Sequence, residues 1–148
     1  MGKIFPIFSA NNNLRRNMFD INLLAVLAAA AISFALGGIW YSPALFLTPW
    51  QRAAGDARTP GSGHPLRVFG LSFAFAVIAA FAFAVWLGPR PSLDTALLQG
   101  LLAGAGFVVT SFGINYQFAN RPPVMWLIDG GYHTIQFLLF GLILGLWH

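Results

Sequence analysis

The stretch Val124–Trp147, VMWLIDGGYHTIQFLLFGLILGLW, decides the fold. It is apolar almost throughout and carries Trp126 and Trp147 near its two ends. At 1.5 Å rise per residue about 31 Å separates the two indoles, which matches a hydrocarbon core of about 30 Å, and indoles favour both rims of such a core. The stretch therefore reads as a membrane-crossing helix. Within it stand Asp129, Tyr132, His133 and Gln136, groups that lipid tails do not solvate. Successive helical residues are turned by about 100°, so Asp129, His133 and Gln136 fall within an arc of roughly 60°, with Tyr132 beside them. That side has to face protein or water. An intramembrane carboxylate and imidazole are the first place to look for function.

The rest of the chain agrees with lipid as its solvent. Of 148 residues 57% are hydrophobic and only 8% charged, where a soluble domain carries roughly 25% charged residues. One polytopic membrane domain fits this length. Cysteine is absent, which excludes disulfides, thiolate metal sites and cysteine nucleophiles. The net charge of +4 comes from cations scattered through loops and ends without a basic run, so lipid headgroups are their expected partners and nucleic acid is not.

Working outward in chain order, residues 1–20 hold a short apolar patch broken by Pro6, then Asn11–Asn13 and Arg15-Arg16. They read as an interfacial extension and not as a cleaved signal peptide. The membrane domain is expected over 21–148. Its first span covers about 21–41, and Ala29, Ser33 and Gly37 form a small-residue stripe for close helix packing. Ser42-Pro43 is placed to cap a short interfacial helix over 43–54, with Phe46, Trp50 and Ala53 on one side. A Gly- and Pro-rich loop follows over 55–66, then a second span over about 67–87 with Ala76, Ala80 and Ala84 on one side. Gly88–Pro91 is a tight turn. Ser92 caps a third span over about 93–118, which contains Gly100 and Gly104, then Ser111 and Asn115 one turn apart. The fourth span, 124–147, brings its own packing glycines, Gly141 and Gly145. Short connections and four apolar stretches predict an all-α, integral membrane, up-down four-helix bundle with a short interfacial helix after the first span. No broken helix is visible in the pattern.

Four crossings put the end of the first span, the start of the second, the end of the third and the start of the fourth on one side of the membrane. Tyr41, Ser42, Ser111, Asn115, Asp129, Tyr132 and His133 share that half, with Gln136 near the midplane. They are expected to line a polar, water-reachable pocket in which Asp129 and His133, four residues apart, pair with each other. Its side is undecided. Lys3, Arg15, Arg16 and Arg90 on one face balance Arg52, Arg58, Arg67 and Arg121 on the other.

Two roles compete for Asp129 and His133: binding or relaying a cation or proton, or tying helices together near a positive helix end. Metal and cofactor are not expected, because His64 lies in a loop, His148 is terminal, and one histidine with one aspartate falls short of a zinc site. GxSxG, HExxH and P-loop patterns are absent, so an enzyme is not expected either. What remains is a bundle that oligomerises or packs against another membrane complex, or a small oligomeric transporter or channel.

Three elements carry a family likeness: Gly38-Ile-Trp-Tyr-Ser-Pro-Ala-Leu-Phe46 after the first span, Ile114-Asn-Tyr-Gln-Phe118 closing the third, and Gly131-Tyr-His133 in the fourth. With this order and spacing the chain from about Ile21 onward resembles the small membrane proteins of domain-of-unknown-function family 1761. The resemblance implies four spans, a multi-pass place in a bacterial inner membrane and no assigned activity. It leaves residues 1–17 as an extension beyond the shared part.

Overall fold

A computed structural model describes residues 20–55 and 64–148 of the chain. The extension expected over residues 1–20 lies outside the described residues, Asp20 apart, as does most of the loop after the short helix. The described residues form α1 (Leu23–Trp40), α2 (Leu47–Ala54), α3 (Pro65–Leu87), α4 (Leu93–Phe118) and α5 (Pro123–Leu146). Four of these, all but α2, are long and apolar enough to cross a membrane. The chain is an all-α, multi-pass membrane bundle with one short extra helix after its first span.

Local chemistry explains most of the ends. Asn22 caps α1 by accepting the Ala25 N–H at 3.1 Å, and Ser92 caps α4 by accepting from Thr95 at 3.3 Å. Pro65 and Pro123 open α3 and α5, where a missing N–H costs nothing. Gly88 ends α3 at φ 76°, a left-handed conformation that suits glycine, and its N–H bonds the Ala84 carbonyl.

The short helix starts later than expected. Ser42 does not cap it; its carbonyl accepts the N–H groups of Leu45 and Leu47 in a turn, and the helix begins at Leu47 with Phe46 at its N-cap. The turn reverses the chain so that Phe46, Trp50 and Ala53 are half-buried, while Thr48, Gln51 and Arg52 stay exposed.

The last span is the hub. Of its apolar window 39% is buried, against 17% for α4. Helix α1 packs on α3 and on α5, and α4 packs on α5; α3 and α4 meet through the rings of Trp86 and Phe107, 6.1 Å apart, and leave an open seam between them. The core is built of small and aromatic side chains: Ala25, Ala29, Ala30, Ala76, Ala80 and Ala84 surround Phe83 and Phe140.

The α4–α5 contact runs on glycine. A Cβ on Gly100 would sit 2.5 Å from the Phe137 carbonyl oxygen, and one on Gly104 2.7 Å from the Thr134 Cα. Gly141 and Gly145 face the Ala96 and Leu93 backbone in the same way. On α1, Ala29 and Ser33 are fully buried and Gly37 lies under the Tyr132 ring. All seven of these small residues therefore sit at contacts inside one chain. Gly70 does not, since a Cβ there meets nothing within 4 Å. Gly70→Ala is expected to leave the thermal midpoint unchanged or raise it, by up to about 1 kcal/mol of stability, from helix propensity alone.

Helix α4 is not a plain α-helix. Leu102–Val108 forms a π-helical segment of 7 residues, in which the Val109 N–H reaches back five positions to the Gly104 carbonyl. The residues facing α5 show the effect. Ala96, Gly100, Gly104, Val109 and Gly113 all touch it, in steps of four except for the five from Gly104 to Val109. The wide turn delays the inward face by about one residue, roughly 100°.

Candidate functional site

Asp129 sits in α5, two turns from its start, with 6% of its surface exposed. The next two residues make room for its neighbours. At Gly130 a Cβ would press on Val109 of α4 at 3.1 Å, and at Gly131 on the Trp40 ring of α1 at 3.1 Å. Asp-Gly-Gly is thus a local device that lets two helices close on both flanks of one carboxylate.

Three aromatic donors from three elements converge on that carboxylate. The Tyr41 hydroxyl, just past α1, donates to Oδ1 at 2.6 Å; the Trp50 indole of α2 donates to the same oxygen at 3.0 Å; the Tyr116 hydroxyl of α4 donates to Oδ2 at 2.6 Å. An ionised carboxylate only accepts, with about four lone-pair directions, so three of them are in use. The O–H···O lengths are in the short range of hydrogen bonds to a charged oxygen. Two further indoles tie backbone to backbone nearby: Trp40 donates to the Ile128 carbonyl at 3.1 Å and Trp126 to the Val109 carbonyl at 2.9 Å.

The imidazole of His133 belongs to a second cluster. Its Nδ1 lies 2.7 Å from Oε1 of buried Gln136, its ring stacks on Phe112 at 5.1 Å, and Tyr132 meets it edge-on at 4.9 Å. The contact ties the imidazole to the amide, with donor and acceptor set by the ring's tautomer. Tyr132 in turn donates to the Ser33 carbonyl at 3.3 Å.

Asp129 and His133 are therefore neighbours without being a hydrogen-bonded pair. The carboxylate is taken up by donors toward the membrane rim and the imidazole by Gln136 toward the midplane. Where a water-reachable pocket was expected, the half-buried side chains of Tyr41, Trp50 and Tyr116 gather over a buried carboxylate. Of the residues expected there, Tyr41, Asp129, Tyr132, His133 and Gln136 come together. Ser42 contributes its backbone to a turn. Ser111 and Asn115 are exposed on the outer side of α4, and the Ser111 hydroxyl donates to the Phe107 carbonyl at 2.7 Å.

The wide turn accounts for that displacement. In an unbroken helix with Gly100 and Gly104 inward, Ser111 lies two turns beyond Gly104 and Asn115 one more, on the same face. The π-helical delay moves that face on by one residue, to Phe112 and Tyr116. Tyr116 and Trp50 are the donors that periodicity alone misses. Tyr116 stands in the Ile114–Phe118 element, where its place in a distinctive motif was the available signal.

Among the described residues no group of three or more His, Cys, Asp or Glu side chains could hold a metal ion. Hollows occur elsewhere, one at the opposite end between Asn22, Leu87, Arg90 and His148, and one an apolar groove between α1 and α3 beside Val26 and Phe81.

Neither a curated protein nor a solved structure matches this chain. A family model described as a protein of unknown function, DUF1761, matches residues 24–145, which takes in all four spans and both clusters, and the chain belongs to that family.

Proposed function

We propose that this chain is a non-enzymatic membrane scaffold of the bacterial cell membrane, a compact bundle that packs against copies of itself or against another membrane complex. The observation that carries the reading is the closure of Asp129: its carboxylate binds the end of α1, the short helix and α4 to the hub helix. A group so fully engaged acts as a joint, and a polar joint inside a bilayer specifies how helices assemble. The exposed side of α4, which packs mainly on α5, is the surface available to a neighbour.

Purification in a gentle detergent with native mass spectrometry tests this. The expected result is a second copy or a distinct membrane protein at fixed stoichiometry, together with proteoliposomes no leakier to protons or alkali cations than empty vesicles. Conduction that is lost in Asp129→Asn overturns it in favour of the second reading, a small oligomeric transporter or channel. That alternative draws on the imidazole of His133 beside buried Gln136.

A further inference from the structure

The wide turn in α4 does more than shift a helical face. We propose that Leu102–Val108 is a two-position element: in its π-helical setting Phe112 and Tyr116 close over His133 and Asp129, and in an α-helical setting the following residues turn by about 100° and present Ser111 and Asn115 in their place. The first setting seals both clusters with aromatic rings. The second lines them with a hydroxyl and an amide, which water can follow.

Four observations place the hinge here. The segment reads Leu-Ala-Gly-Ala-Gly-Phe-Val, and the side chains at Ala105 and Gly106 are too small to lock one helical phase; a Cβ on Gly106 would meet nothing within 4 Å. The part that has to turn, Val109–Phe118, contains no fully buried residue and is held by α5 alone among the spans. Carbonyls loosened by the wide turn have local partners, since the Thr110 hydroxyl donates to those of Gly106 and Phe107 at 2.6 and 3.0 Å and Ser111 donates to Phe107. These hydroxyls keep the segment's oxygens satisfied where lipid offers no donor. Finally, the residue that would meet Gly130 after the turn is Val108, of the same type as the Val109 that meets it now. Both settings therefore offer α5 a valine at that point.

The turn couples the two clusters mechanically. Phe112 and Tyr116 are one helical turn apart on a single rigid piece, so the Asp129 Oδ2 loses its donor in the same movement that uncovers the imidazole. This goes beyond the scaffold reading and does not depend on it, because the movement is internal to one chain.

The chain has three tyrosines, so 3-fluorotyrosine incorporated throughout gives a simple 19F spectrum in nanodiscs, with Tyr116 assigned by its replacement with phenylalanine. Two signals for Tyr116 are expected in the wild-type chain. Gly106→Ala favours an α-helix without a clash and is expected to enlarge the minor signal at least twofold; deleting Ala105, which removes the extra residue and so keeps Phe112 and Tyr116 inward in an unbroken α-helix, is expected to leave only the major signal. A single Tyr116 signal that stays in place in Gly106→Ala overturns the proposal, whether or not the deletion variant folds. Two signals whose ratio Gly106→Ala leaves untouched overturn it as well.

Discussion

Asp129→Ala is expected to lower the thermal midpoint of the purified protein by about 6–12 °C. The substitution removes the acceptor for Tyr41, Trp50 and Tyr116 together. A buried donor left without a partner costs about 1–3 kcal/mol. Tyr41, Trp50 and Tyr116 are each partly exposed and recover some of that from water or headgroups, so a net loss of about 3 kcal/mol follows for three donors. For a chain of this size each kcal/mol shifts the midpoint by about 2–4 °C. Asp129→Asn is a milder change, because its amide oxygen still accepts from two donors and its NH2 group can donate to the Tyr116 oxygen. It should lose less than half as much. Fluorescence-monitored unfolding of the two variants side by side checks both numbers. An alanine variant as stable as the wild type shows that the aromatic cap closes without its carboxylate.

Gly100→Val is expected to abolish the folded bundle. Its Cβ would stand 2.5 Å from the Phe137 carbonyl oxygen and 3.1 Å from the carbonyl carbon, and both belong to backbone that cannot swing aside. Ordinary contact requires α4 and α5 to separate by about 1 Å, which loosens every close approach along the same line. Gly104, Gly141 and Gly145 then lose their contacts too, and the ring contact of Phe107 with Trp86 of α3 is too small to hold α4. In size-exclusion chromatography the variant should run as an aggregate or be cleared before purification, while Gly70→Ala elutes as the wild type does. A monodisperse Gly100→Val protein shows that this helix pair gives way more easily than its backbone spacing implies.

How much of this was legible beforehand follows from which signals a sequence carries. Membrane thickness constrains helix length, and the four long helices begin and end within two residues of the expected spans. Small residues at four-residue spacing marked α1, α4 and α5 as closely packed. The importance of Asp129 was legible too, because a carboxylate in hydrocarbon has to be answered by something. Its partners were not. Trp50 reaches it only because the chain turns back at Ser42, through backbone bonds to the Trp40 and Ser42 carbonyls that no pattern of side chains announces. Tyr116 was hidden for a different reason. Periodicity can be carried across a segment only if its side chains have a phase, and Ala103–Gly106 are too small to show one. The wide turn sits in that blind stretch, and the inward face of α4 beyond it was assigned one residue out of step.

The hub position of α5 has a bearing on how the protein is made. Translation delivers α1 and α3 early, and these two can pair in the membrane as soon as both have entered it. Helix α4 comes next and finds little beyond the Trp86 ring of α3 to rest against, because its glycines match a helix still inside the ribosome. For the time needed to synthesise α5, a stretch rich in exposed apolar and small residues waits in the lipid, open to capture by an insertase or by another nascent chain. Chains held on the ribosome by a long linker joined after Phe118 should therefore have a third span that is degraded or crosslinks to the insertion machinery, and those held by the same linker joined after His148 should not.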